Sequence, residues 1–193
     1  MTSARESGAS LRVAVSGDDH VRGTADAPVT LVEYGDFQCP HCAMAHPIVR
    51  QLQQRLGDKL RFVFRNFPIS ESHPQAMHAA AAAECVGALG GADAYWRMHG
   101  LIYEHAQESR AALSDRHLVE WAEQCGVDGA EVQRALEEGT YEERVQSDFM
   151  GGVRSGVNGT PTFFVNGERY DGNWTDVEAF EAALREVAGR ASR

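Results

Sequence analysis

The chain has 193 residues, 43% of them hydrophobic and 24% charged, so one compact unit or a small domain carrying an insertion is expected. A formal net charge of -10 opposes nucleic-acid binding, because a phosphate backbone demands a basic surface. No run approaches the ~18 consecutive apolar residues that a transmembrane helix needs, and four cysteines are too few for a disulfide scaffold at this length.

The opening MTSARESGAS lacks the apolar stretch of a secretory signal. A cytoplasmic protein is therefore expected, with export after removal of a signal as the alternative. Residues 1–19 read as a tail or an extra strand, with Leu11, Val13 and Val15 alternating. Val29, Leu31, Val32 and Tyr34 form a short apolar run that predicts a buried strand ending at Gly35-Asp36. From Pro40 the spacing of Met44, Ile48, Val49, Leu52 and Leu56 predicts a helix stopped by Gly57. Leu60, Phe62, Phe64 and Phe67 then predict a second strand, closed by Pro68.

Residues 73–156 carry almost no strand signal and read as helices: around Ala79–Ala83, Tyr95–His105, Ser114–Cys125, and from Asp128 towards Phe149. Ser114 and Asp128 are candidate N-caps, and Gly90-Gly91, Gly126 and Gly139 punctuate the joints. Thr162–Val165 restores the strand pattern, and Asn166-Gly167 is a hairpin turn leading to Arg169-Tyr170. A last helix, capped near Thr175, places Val177, Phe180, Leu184 and Val187 on one face. The expected organisation is an α/β core of residues 20–70 and 157–190, interrupted by a helical block at 71–156.

Cys39-Pro40-His41-Cys42 stands where a strand hands over to a helix. A thiol there meets unpaired N–H groups and the positive end of the helix dipole, and both favour thiolate. Cys39 is thus the candidate nucleophile and Cys42, one turn in, the resolving thiol. Pro40 fixes the first turn and His41 can add positive charge or a hydrogen bond to the Cys39 thiolate. A pair whose reduced form is stabilised is the stronger oxidant.

This motif, with the strings YGDFQCPHC and GVNGTPTFFVNG, resembles the DsbA-like thiol-disulfide oxidoreductases of the thioredoxin superfamily over residues 20–190. The resemblance implies a thioredoxin-like fold with an inserted helical domain, and an enzyme that exchanges disulfides with protein or peptide thiols without a cofactor. It further implies a redox partner that recharges the pair. By the same resemblance Pro161 is a cis proline facing the cysteines, Thr160 and Pro161 contact substrate, and Glu33 is a buried acid that moves the Cys42 proton. Thr160 stands where dedicated oxidases of this type carry an apolar residue and isomerase-like relatives carry Thr, which leaves the direction of electron flow open.

Two other readings compete. Cytoplasmic reduction or antioxidant chemistry would run the same cysteines backwards. A redox-inert binding or zinc module would use Cys39, His41, Cys42 and His46, but the sequence offers no second ligand pair at matching spacing. Cys85 and Cys125 read as buried free thiols rather than as a second disulfide. The remaining histidines share no spacing, and Tyr95, Trp96, Tyr103 and Trp121 fit a helical core.

Overall fold

A computed structural model of the chain describes residues 9–109 and 111–191; residues 1–8 of the expected tail lie outside the described residues. Five strands form one sheet: β1 (His20–Arg22), β2 (Val29–Gly35), β3 (Leu60–Asn66), β4 (Thr162–Val165) and β5 (Glu168–Arg169). Their order is β1-β3-β2-β4-β5, with β2 and β3 parallel and the other neighbours antiparallel. The β2–β3 crossover is made by α1 (Pro40–Leu56), as a parallel pair requires. Helices α2 (Ala76–His105), α3 (Asp115–Gln124), α4 (Gly129–Glu138) and α5 (Glu142–Arg154) separate β3 from β4, and α6 (Val177–Ala191) ends the fold.

The alternation of side chains along β2 splits the core in two. Val29 and Leu31 join Phe62, Phe64 and Phe163 in the larger cluster, with Ala45, Val49 and Leu52 of α1 and Phe180 and Leu184 of α6. Val32 and Tyr34 face the other way, towards Val63, Phe67, Val157 and Phe164. Because both faces of β2 are covered, apolar residues stand on both sides of the strand, interrupted by Thr30 and Glu33. Glu33 points into the larger cluster's side of the sheet by the same period, which is why it is buried rather than at a strand edge.

Several expectations need correction. Leu11, Val13 and Val15 do not form a strand. Arg65 Nη1 and Nη2 donate to the carbonyls of Val13 and Ala14 at 2.8 and 3.0 Å, taking acceptors that a ladder would use. The segment is held instead by that guanidinium and by Leu11 and Val15 packing against the smaller cluster. In α1 the buried stripe is Cys42, Ala45, Val49, Leu52 and Leu56, and Met44 is 51% exposed. The segment from Asp128 does divide at the expected glycine joint, where Gly139 at φ 65° ends α4 in the left-handed region. Asp176, not Thr175, caps α6: its Oδ1 accepts from the N–H groups of Glu178 and Ala179 at 3.0 and 3.1 Å. The Ala-rich and Tyr95–His105 segments do meet at the expected glycine joint, where Gly91 (φ 82°, ψ -174°) breaks α2 between them.

Candidate active site

Cys39 is the N-cap of α1 and Pro40 its first residue, so the Pro lacks an N–H at a position where none is needed. The Cys39 N–H donates to the Asp36 carbonyl at 3.1 Å, and the Ala43 N–H donates to the Cys39 carbonyl at 3.0 Å. Cys39 Sγ lies 3.5 Å from the carbonyl oxygen of Thr160, which precedes Pro161 through a cis peptide bond. Residues 121 positions apart in sequence thereby meet at one sulfur. Of the seven residues singled out in the sequence, Cys39, Cys42, Thr160 and Pro161 converge directly and Glu33 lies buried below them. Pro40 and His41 are exposed on the first turn, and the His41 backbone N–H is among the groups that lower Cys39.

Electrostatics separate the two thiols. Cys39 is lowered to about 5, first by the hydrogen bond from the Cys42 thiol, then by Thr160 and the N–H groups of Cys42 and His41, all against the opposing effect of burial. The dominant donor is thus the second cysteine, with the helix N-terminus adding to it. Burial pushes the Cys42 thiol well above its ordinary value, reinforced by its donation to Cys39 and by Glu33. One sulfur is ready as thiolate while its neighbour holds the proton.

Glu33 is 2% exposed, and its Oε1 is buried without a hydrogen-bond partner. Burial raises it to about 8, with the Cys39 charge adding to the effect. Gly35 keeps the space beside it: a Cβ there would stand 2.4 Å from the Phe64 ring and 3.1 Å from Glu33 Oε1. Only glycine lets the strand pass so close to that ring.

Asp36, Gln38, His73, Gln75 and Gln107 frame the motif, and none of them is singled out as a site residue by the sequence reading. Gln38 Oε1 accepts from the Gln75 N–H at 2.8 Å, and Gln107 Nε2 donates to the Gln38 carbonyl at 3.3 Å. His73 Nδ1 lies 2.8 Å from Asp36 Oδ2. Two polar residues just before the C-x-x-C motif were the only available signal, and their partners outside that loop include Ile69 and Gln75, 33 and 37 positions away. Cys85 and Cys125 are thiols, the first buried beside Tyr141 and the second half-buried. Among the described residues no three His, Cys, Asp or Glu groups are placed to hold a metal ion.

The thioredoxin family model matches residues 15–186, nearly the whole chain. The chain belongs to the thioredoxin family. Its fold is that of DsbA-like members: BdbD from Bacillus subtilis superposes with a TM-score of 0.83 at 23% identity, covering 95% of this chain and all of that one. Alpha-DsbA1 of Wolbachia pipientis gives 0.78 at 18% identity, covering 92% and 94% of the two chains. Among relatives by sequence, a Salinispora arenicola protein named Na(+)/H(+) antiporter NhaA 1 is 43% identical over 175 residues, 90% of this chain but 26% of that protein. A Mycolicibacterium vanbaalenii protein of the same name is 34% identical over 178 residues, 91% of this chain and 28% of that protein. This thioredoxin-family chain therefore spans about a quarter of the length of those relatives.

Proposed function

We propose that the chain is a DsbA-like thiol-disulfide oxidoreductase whose disulfide form oxidises pairs of thiols in proteins or peptides. The observation that carries the reading is the asymmetry of the two sulfurs, a depressed Cys39 at the helix start and a buried, proton-holding Cys42 behind it. A substrate thiolate attacks Cys39 of the Cys39–Cys42 disulfide; the S–S bond breaks and Cys42 leaves with its electron pair. Glu33, carrying a proton up to about pH 8, returns one to Cys42. The second substrate thiolate attacks its own mixed-disulfide sulfur and expels Cys39 as a stabilised thiolate. Two substrate thiols become a disulfide and the pair is reduced.

The Thr160 carbonyl, so close to Cys39, orients an extended substrate segment beside the sulfur, and Pro161 offers no competing N–H. A pair poised this way does useful work only where disulfides persist. The cytoplasmic expectation from the N-terminal residues therefore gives way, in this reading, to an oxidising compartment. Antiport, the activity in the relatives' name, is no part of this reading: among the described residues no helix here is long and apolar enough to cross a membrane.

The test equilibrates the protein with glutathione buffers and then mixes its oxidised form with a dithiol peptide. Expected are an oxidising potential and stoichiometric peptide oxidation, both absent in Cys39→Ser. A strongly reducing potential with no transfer to the peptide would overturn the oxidant reading.

A further inference from the structure

Asp36 follows β2 directly, and its side chain is wholly buried. A buried carboxylate is costly unless donors surround it. Here three do. Oδ1 accepts from the Gln38 N–H at 2.8 Å; Oδ2 accepts from the Ile69 N–H at 2.8 Å and faces His73 Nδ1 at 2.8 Å. Glu33, three residues earlier, has a buried oxygen with no partner at all, so the two acids serve different ends.

The pairing of β2 with β3 ends at Gly35 and Asn66, and one more backbone bond follows, from the Phe67 N–H to the Gly35 carbonyl at 2.7 Å. Beyond it the chains diverge. The Asp36 carboxylate supplies the acceptor that the next N–H, Ile69, would otherwise lack. It thereby welds the cysteine loop to the connection between β3 and α2. From that fixed position the Asp36 N–H points at Cys42 Sγ, 3.4 Å away. Burial pushes Cys42 up, and the Asp36 N–H is the contact that works in the opposite direction.

We propose that Asp36, held from outside by His73, is a positioning residue for Cys42, aiming a backbone donor at the sulfur that resolves the mixed disulfide. The inference rests on the oxidoreductase reading. In the step concerned, Cys42 thiolate attacks Cys39 Sγ of a mixed disulfide. The Cys39–Cys42 bond forms, the bond to the outer sulfur breaks, and that sulfur departs as thiolate with the electron pair. A weaker donor at Cys42 slows this step and leaves the earlier attack by Cys39 alone.

The experiment mixes reduced protein with glutathione disulfide, quenches with acid and follows the mixed disulfide and the Cys39–Cys42 form by mass. Asp36→Asn removes the charge and one acceptor. His73→Leu removes the outer donor at a residue 20% exposed, where folding is least at risk. His73→Asn restores a donor near the position of Nδ1. Expected is formation of the mixed disulfide at the wild-type rate, with resolution about tenfold slower in Asp36→Asn and His73→Leu, the loss of one charge-assisted bond, and recovery in His73→Asn. Resolution at the wild-type rate in His73→Leu, or equal slowing of both steps, would overturn the proposal while leaving the enzyme reading intact. A wild-type protein that never forms the Cys39–Cys42 disulfide would overturn both.

Discussion

At the scale of single residues the site works by giving two chemically equal thiols different surroundings. Cys39 receives donors and Cys42 is buried among groups that disfavour its charge, so the proton has one place to sit. Glu33 Oε1 meets no hydrogen-bond donor, and burial, with the Cys39 charge adding to it, makes Glu33 an acid that ionises near 8. Glu33→Gln is expected to leave the Cys39 transition near pH 5, because Glu33 is uncharged there. The same variant should slow Cys42 resolution about a hundredfold and flatten its pH dependence. Stopped-flow trapping of the mixed disulfide across pH checks both. A Cys39 transition displaced along with the slower step would mean that Glu33 acts on the nucleophile instead.

Among the elements, the helical block is docked on the sheet by a buried polar network rather than by apolar packing alone. Asn66 at the end of β3 donates through Nδ2 to Glu84 of α2 at 2.7 Å, and its N–H donates to Asp148 of α5 at 3.0 Å. Arg144 pairs with Asp148 and lies 3.8 Å from Glu84. Arg144→Met would leave two buried carboxylates facing one another, with an expected loss of about 3 kcal/mol. Asp128→Ala removes only the cap bond to the Ala130 N–H at the start of α4, for about 1 kcal/mol. Urea unfolding ranks the two, and a larger loss for Asp128→Ala would contradict the docking role.

These contacts also explain what could be read from the sequence. The strand–helix handover at Cys39, the hairpin at Asn166-Gly167 and the helical nature of 73–156 are local signals, carried by periodicity and by turn residues. The strand predicted at Leu11–Val15 failed because Arg65, about 50 positions later, takes its carbonyls, and no local pattern announces that. Asp36 and His73 escaped notice for the same reason: their meaning is a pairing across 37 positions. Met44 looked like core because it fits the helical spacing, yet the stripe is centred on Cys42 and Ala45.

For the molecule as a whole, the two shifted groups make stability depend on redox state and pH together. Cys39 falls from 9.0 to about 5 on folding; its contribution to stability is present above 9.0 and is lost as pH falls through 5. Glu33 rises from 4.5 to about 8, so its contribution is present below 4.5 and is lost as pH rises through 8. Between pH 5 and 8 the two slopes oppose each other in the reduced protein, and stability from this pair is nearly flat. The oxidised protein has no Cys39 thiol to titrate and keeps the burial of Glu33. Its stability relative to the reduced form is expected to fall steadily across that window, and all other titrating groups cancel in the comparison. Urea midpoints of both forms at several pH values measure it; parallel curves would refute the linkage.

The most direct measurement is the ultraviolet thiolate absorbance of the reduced protein against pH, with the oxidised protein and Cys39→Ser as blanks. The expected result is one thiolate appearing with a midpoint near pH 5 and missing from both blanks. A first transition near the unshifted value of 9.0, or one that survives in Cys39→Ser, would contradict the assignment of Cys39 as an activated nucleophile.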